Sequence, residues 1–371
     1  MLAGSALPVL MKQKFYSQVN MERIFFFDES QGGTKSAPHK EERMKFGIIG
    51  AGRIGKIHGA NVAARPDSAV VYVADADPAA AAALAKTTGA KVAEIDAIPT
   101  AKDVEAVAIC SPTDTHADLI ERAARAKKAI FCEKPIDLDL ARVRACLEVV
   151  KQTGATLMVG FNRRFDPNFA ALRRRVAEGA IGALEIVSIT SRDPSPPPVS
   201  YIARSGGLFR DMMIHDFDMA RFVLGEELVA VSAMGSALVD KAIGEAGDID
   251  TAAVIMETAS GKVAQISNSR RATYGYDQRV EAHGANGMLQ AANVRETTVE
   301  WAGAHGFTSD KALNFFLERY DAAYRNELDA FIGAVKAGSK PYPDGEDGLK
   351  ALLLADAAYR SWKTGQRVAV G

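Results

Sequence analysis

Cysteine is scarce in this chain. Its three residues, Cys110, Cys132 and Cys146, stand in apolar or helical contexts among 371. So few and so scattered, they exclude a disulfide scaffold and a structural zinc site, and buried thiols in a reducing, cytoplasmic compartment are the expectation they leave. No excess of one charge is present either. Lys+Arg number 45 against Asp+Glu 46, a formal net charge of −1, whereas a nucleic-acid binder would carry a basic excess or stripe. No run approaches the ~20 apolar residues of a membrane-spanning helix, so neither nucleic acid nor membrane is an expected partner. The six histidines are scattered, without a cluster of ligands, and no metal is expected. What is there is 48% hydrophobic and 25% charged, an ordinary globular composition at a length that suits two domains of ~150 residues.

Residues 1–43 differ from everything after them. A short apolar start (Leu2–Met11), an isolated Phe25-Phe26-Phe27 and a polar stretch to Arg43 sustain no period of 3.6 or 2. Lys12 and Lys14 end the apolar run and no basic segment precedes it, which argues against a signal peptide. The expectation is a disordered, dispensable extension before Met44; an upstream start codon would account for it.

From Met44 the chain alternates strand and helix. Strands are expected at 45–49, 69–74, 106–110, 129–132 and 156–160, with helices at 53–64, 78–88, 115–126 and 138–152 between them. Such alternation predicts a parallel sheet with helices on both faces. After Arg164 the pattern changes. Helices are expected at 167–177 and 210–224, separated by a loop over 193–207, then β-type alternation at 228–239, 251–258, 262–270, 278–284 and 297–301. Long helical patterns at 311–336 and 345–364 close the chain. The fold class is therefore α/β plus α+β: a Rossmann domain over 44–164, then an α+β domain over 165–371 built on a large, mostly antiparallel or mixed sheet. The last helix, 345–364, is expected to pack back on the first domain.

Gly50-Ala51-Gly52-Arg53-Ile54-Gly55 stands between the first strand and the first helix. A G-x-G-x-x-G so placed permits a tight turn, close approach of a pyrophosphate and close helix–strand packing, with N–H groups at the helix N-terminus facing the negative charge. Asp75 ends the second strand, where a carboxylate receives ribose hydroxyls. Ala76, not arginine, follows it, so the expected cofactor is NAD rather than NADP.

Two loops follow the later strands: Ser111-Pro112-Thr113 with His116, and Glu133-Lys134-Pro135. Farther on, Asp211 and His215 are spaced i and i+4, one turn apart on one face of a helix. Met212, Met213, Ile214, Phe217 and Met219 make that helix apolar over most of its circumference, hence buried. An Asp/His stripe on it either satisfies core polarity as a pair or lines a cavity. Histidine suits proton abstraction near neutral pH, and a lysine can stabilise a developing alkoxide.

Together with Gly50–Gly55, these loops resemble the Gfo/Idh/MocA oxidoreductase family, and D-x-x-x-H resembles its inositol-dehydrogenase branch. The resemblance runs from Met44 nearly to the C-terminus. It implies that Ser111–His116 and Glu133 lie along the cofactor, that Lys134 projects into the active site, and that Asp211 orients His215, the general base. It further implies substrate contacts from Arg164, the second arginine of Gly160-Phe161-Asn162-Arg163-Arg164, and from a tyrosine of Tyr274-Gly275-Tyr276, with Tyr274 the expected one. A departure stands at Ser191, where some members place a substrate-contacting histidine. The implied reaction is NAD-dependent oxidation of a cyclic polyol, myo-inositol to its 2-keto product. The alternatives are another inositol isomer or a pyranose, or a catalytically idle NAD-binding sensor. Homodimers or homotetramers through the second-domain sheet are also implied.

Overall fold

A computed structural model describes residues 43–371; the expectation for the extension lies outside these residues. The first sheet is built from β1 (Met44–Ile49), β2 (Ser68–Ala74), β3 (Lys91–Val92), β4 (Ala106–Ile109), β5 (Ala129–Glu133) and β6 (Leu157–Gly160). Its order is β3-β2-β1-β4-β5-β6, and every pairing is parallel. This is the Rossmann arrangement, with the topological switch between β1 and β4. Strands such as β4 are buried along their whole length because helices cover both faces, which is why they read as unbroken apolar runs.

The covering helices are α1 (Arg53–Ala64), α2 (Pro78–Thr88), α3 (His116–Arg125) and α4 (Leu140–Thr153). Their ends follow local chemistry. Asp77 caps α2 with Pro78 behind it, and Gly89 closes it in the left-handed conformation; Asp139 and Gly154 do the same for α4.

The second part opens with α5 (Pro167–Ala177), β7 (Leu184–Arg192), α6 (Val199–Ser205), α7 (Gly207–Asp211) and α8 (Ile214–Leu224). There follow β8 (Leu228–Ser236), α9 (Lys241–Glu245), β9 (Thr251–Thr258), β10 (Val263–Ser269), β11 (Asp277–Gly284) and β12 (Gly287–Ala291). A small hairpin, β13 (Glu300–Gly303) and β14 (Gly306–Ser309), leads to α10 (Phe316–Arg319), α11 (Asp321–Lys336), α12 (Gly345–Thr364) and β15 (Val368–Ala369). The large sheet runs β12-β11-β7-β10-β9-β8-β15. Only β7 and β10 pair in parallel; the sheet is mixed, as expected.

Several expectations changed. The helix expected at 311–336 starts only at Phe316 and is divided into α10 and α11, and β12 was not expected. Strand β7, central to the sheet, was absent from the sequence reading: Leu184-Glu185-Ile186 is out of phase with the Val187/Ile189/Ser191 stripe that faces inward, and the stripe ends on a polar residue. The expected loop 193–207 contains α6. The single helix over 210–224 is two: α7 ends at Asp211, and the N–H groups of Met212 and Met213 both bond the Leu208 carbonyl, so the i→i+4 ladder is interrupted.

Helix α12 packs between the two sheets. Leu349, Ala351 and Leu352 join the core beneath β4–β6, while Leu354, Ala355 and Ala358 join the core of the large sheet. Its start is a capping box in which Asp344 and Asp347 satisfy each other's backbone N–H groups.

Candidate active site

The glycine loop lies at the β1/β4 switch. Gly50 has φ +101, and a Cβ there would lie 2.4 Å from the Cys110 carbonyl carbon. A Cβ on Gly55 would lie 1.9 Å from the Gly50 oxygen. Both glycines are thus required by chain packing. Gly52 differs: nothing lies within 4 Å of where its Cβ would be, so its open side is available for a phosphate to approach the backbone. No side chain caps α1, which leaves its first N–H groups for an anion. Asp75 is fixed beside the loop, Oδ2 accepting from the Ala51 N–H at 2.5 Å and Oδ1 from that of Asp77 at 2.8 Å. Its carboxylate would take ribose hydroxyls and repel a 2′-phosphate. These residues fit NAD.

Arg53 extends over the rings of Phe315 and Phe316, and Ile54 packs on the core of the large sheet, so the N-terminus of α1 sits at the junction of the two parts. On the opposite wall, Ser111 Oγ and Thr115 Oγ1 are 2.6 Å apart, folding Ser111–Thr113 into a short turn after β4. His116 is placed otherwise than expected. It is buried, with Nδ1 2.8 Å from the Pro135 carbonyl and Nε2 2.7 Å from that of Ser111. Both ring nitrogens are engaged, so His116 ties the two loops together from behind instead of facing a ligand. Glu133 likewise turns its carboxylate inward, 2.7 Å from His58 Nε2.

Lys134, just after β5, meets Asp211 at the end of α7, and His215 stands in the first turn of α8. Lys134 Nζ donates to the Asp211 carbonyl at 2.7 Å and lies 3.9 Å from its Oδ1. Burial pulls the Lys134 pKa down, Asp211 and Glu133 hold it up, and Arg163 and Arg270 oppose them. Burial holds the His215 imidazole well below its usual range, helped by the positive charges of Lys134 and Arg163. It is therefore neutral near pH 7, with a lone pair free to take a proton. Its Nδ1 is buried without a partner among the described residues, and its ring meets Phe161 edge-on.

The expected Asp211–His215 bond is not formed. Asp211 Oδ1 accepts from the Tyr201 hydroxyl at 3.1 Å, and Oδ2 from Arg270 at 3.3 Å. The break after α7 is the reason: the two side chains do not share one continuous helical face.

Two substrate expectations also change. Arg164 is buried against Asp218 and Asp347, its guanidinium stacked on Tyr342; it holds α8 and α12 together and faces no opening. Arg163, buried as deeply as Arg164, reaches Asp216, Ser191 Oγ at 3.3 Å and the Tyr276 hydroxyl at 3.5 Å. Tyr274 lies on the outer side of the large sheet, bonded to Asp277 and Arg192. Tyr276, two residues on, is buried on the inner side beside Arg163. Ser191 is buried beneath the site, tied to Gln278.

Sequence reasoning missed Tyr201, Asp193 and Arg270. Asp193, half-buried, is pushed up to about 6 by burial, with Arg270 opposing and Asp211 reinforcing the shift. The Asp193-Pro194 turn was a faint signal for it; Tyr201 and Arg270 offered none, because only the chain path brings them to Asp211.

Comparison with known proteins agrees with this geometry. The profile of the oxidoreductase family with NAD-binding Rossmann fold matches residues 44–161, and that of the GFO/IDH/MocA C-terminal domain matches residues 169–290. The inositol 2-dehydrogenase of Rhizobium meliloti is 61% identical over 318 residues, covering 86% of this chain and 96% of that protein. The myo-inositol 2-dehydrogenase of Thermotoga maritima is 48% identical, with 86% and 96% covered. A crystal structure of scyllo-inositol dehydrogenase from Lactobacillus casei, with bound NAD(H) and scyllo-inositol, superposes with a TM-score of 0.83 at 31% identity, covering 89% of this chain and 99% of that one. Fold and loops together define an NAD-binding Rossmann oxidoreductase with a C-terminal mixed sheet. The chain belongs to the GFO/IDH/MocA oxidoreductase family.

Proposed function

We propose that this enzyme oxidises a ring hydroxyl of an inositol, with myo-inositol going to its 2-keto product, and that His215 is the general base. The observation that carries the reading is the Lys134–Asp211 pair with His215 within reach of the lysine's charge, in a chain whose glycine loop keeps Gly52 open. Two relatives named for oxidation of inositol at position 2, at 61% and 48% identity, support the substrate.

When bound, NAD supplies the hydride acceptor. The chain's residues do the rest. Lys134 donates a hydrogen bond to the reacting oxygen and stabilises it as negative charge develops. His215 takes the hydroxyl proton on its Nε2, since Nδ1 is sealed in protein. Asp211, braced by Tyr201 and Arg270, keeps the Lys134 ammonium aimed at that oxygen. Arg163, Asp193 and Tyr276 provide a donor and acceptors for the other ring hydroxyls.

The test is NADH formation at 340 nm with myo-inositol beside scyllo-inositol, chiro-inositol and glucose. His215→Ala should lower kcat by roughly 10²–10⁴-fold while NAD affinity holds; unchanged turnover would refute the assigned base. No helix among the described residues is long and apolar enough to cross a membrane. The free thiols of Cys132 and Cys146, both buried, and of half-buried Cys110 support a cytoplasmic setting. Subunit contact, as a dimer or tetramer, is assigned to the outer face of the large sheet, where Ile186, Met234 and Ile255 are exposed.

A further inference from the structure

Between β7 and α7 the chain forms a strap, and no described residue from Pro194 to Gly206 belongs to a hydrophobic core. The strap enters through Pro194 and Pro196-Pro197-Pro198, whose rings fix φ. It leaves through two consecutive glycines in the left-handed region, Gly206 at φ +83 and Gly207 at φ +78. Helix α6 hangs between them. Proline resists a swing of the backbone and glycine permits one, so the hinge of α6 is at its C-terminal end. Among the described residues, the backbone of residues 194–202 makes hydrogen bonds only within the strap. Ile202 and Ser205 are buried, whereas Tyr201 and Arg204 are exposed. A segment with so few buried contacts opens locally at low cost.

Side chains nevertheless hold α6 at both ends of the site. The Tyr201 hydroxyl donates to Asp211 Oδ1 at 3.1 Å, the same oxygen that lies 3.9 Å from Lys134 Nζ. Arg204 Nη2 lies 3.7 Å from Asp114 Oδ2, in the turn after β4. At the hinge, a Cβ on Gly206 would lie 2.8 Å from Leu138 Cδ2, in the loop after β5. The helix thus joins the carboxyl ends of β4 and β5, the edge where a Rossmann sheet takes its ligand, to the Asp211 carboxylate of α7. Arg53, at the start of α1, is close enough for its charge to act on the Tyr201 phenol. With α6 so placed, the side chains of Lys134 and Asp211 are 15% and 17% exposed. A hydroxylated ring that meets both needs more of their surface than that, so α6 has to move for one to enter.

We propose that α6 is a lid over the Lys134–Asp211 pair, hinged at Gly206-Gly207, and that Tyr201 is the positioning residue which its closure seats on Asp211. The inference rests on the reading of Lys134 and Asp211 as groups of the polyol site. Open, the lid admits the ring. Closed, its phenol fixes the Asp211 carboxylate, and through it the lysine, and covers both from water. The Arg204–Asp114 pair is the latch. Both of its side chains are 70% exposed, so it adds little to the stability of the fold and breaks and re-forms readily.

The experiment is hydrogen–deuterium exchange of the full chain, read by mass spectrometry on peptides covering residues 194–207. It compares the free protein, the protein with NADH, and the protein with NADH plus myo-inositol, a pair that cannot react because both are reduced. With ligands at about ten times their Kd, exchange in α6 should slow roughly tenfold in the ternary mixture, and NADH alone should already slow it in part. Equal exchange in all three states overturns the lid. Kinetics test the residues. Tyr201→Phe keeps the ring and removes the hydroxyl; it should lower kcat for myo-inositol roughly tenfold with NAD affinity and Tm retained, and an unchanged kcat overturns the positioning role. Arg204→Glu, which repels Asp114, should raise KM roughly two- to fivefold at unchanged kcat and Tm, and Arg204→Lys should restore the wild-type KM. An Arg204→Glu protein with wild-type KM and wild-type exchange overturns the latch. If the wild type oxidises no polyol, the reading of the site fails, and exchange with NADH alone still decides whether α6 moves.

Discussion

Asp193 shows how a carboxylate is kept inside the fold at some expense of stability. Burial lifts its pKa from 3.8 to about 6. An acid raised in the folded state destabilises that state as pH rises through the interval between the two values, and the penalty is constant above it. Two units correspond to an upper bound of about 3 kcal/mol, reduced by water reaching this half-buried group. Asp193→Asn should therefore melt several degrees above the wild type at pH 7.5, with the gain gone near pH 4, and should lose kcat/KM for the polyol. Thermal melts across that pH range check the sign; a gain that grows toward acid pH would refute it. Arg164 is the opposite case. Its buried pairing with Asp218 and Asp347 is structural, and removing one partner of such a pair costs about 3–5 kcal/mol.

At the scale of the element, the position of the Asp211 carboxylate depends on how α7 begins. Gly207 sits at φ +78, and a Cβ there would lie 2.5 Å from Asp248 Oδ1. Asp248 in turn accepts from the Leu208 N–H, fixing the helix that ends in Asp211. Gly207→Ala adds a left-handed strain of about 1–2 kcal/mol and displaces Asp248. It should lower both Tm and kcat/KM with NAD affinity retained, which melts and a binding titration resolve; loss of NAD affinity in step with turnover would point elsewhere. The glycine loop was legible because its function needs the same local features that sequence shows: three glycines, a strand before and a helix after. The Asp211/His215 geometry was not, because i,i+4 spacing implies a shared face only where the helix is continuous.

Across the whole molecule, one face of the large sheet is committed to the interior and the other is open. Ile255 and Met234 on adjacent strands are 58% and 80% exposed, with Ile186 at 40%, an apolar patch of the kind that marks association. Ile255→Glu combined with Met234→Glu should shift the assembly to smaller species in light scattering after gel filtration. An unchanged mass would move the subunit contact off this face. Helix α12 acts at the same scale, since its two halves lie in two different hydrophobic cores and the parts on either side of it are thereby held together.

Sequence alone determined what local chemistry dictates. The parallel sheet follows from unbroken apolar strands alternating with helices, and the cofactor loop from glycine spacing and Asp75. Tertiary structure decided what depends on where a side chain ends up facing. The turn at Gly275, φ +110, leaves Tyr274 exposed and Tyr276 buried, Arg163 and not Arg164 reaches Ser191 and Tyr276, and a single interrupted helical turn gives Asp211 to Tyr201 and Arg270 instead of His215. Those outcomes are set by contacts between residues as far as 183 positions apart, as in Arg164 and Asp347, which no local pattern encodes.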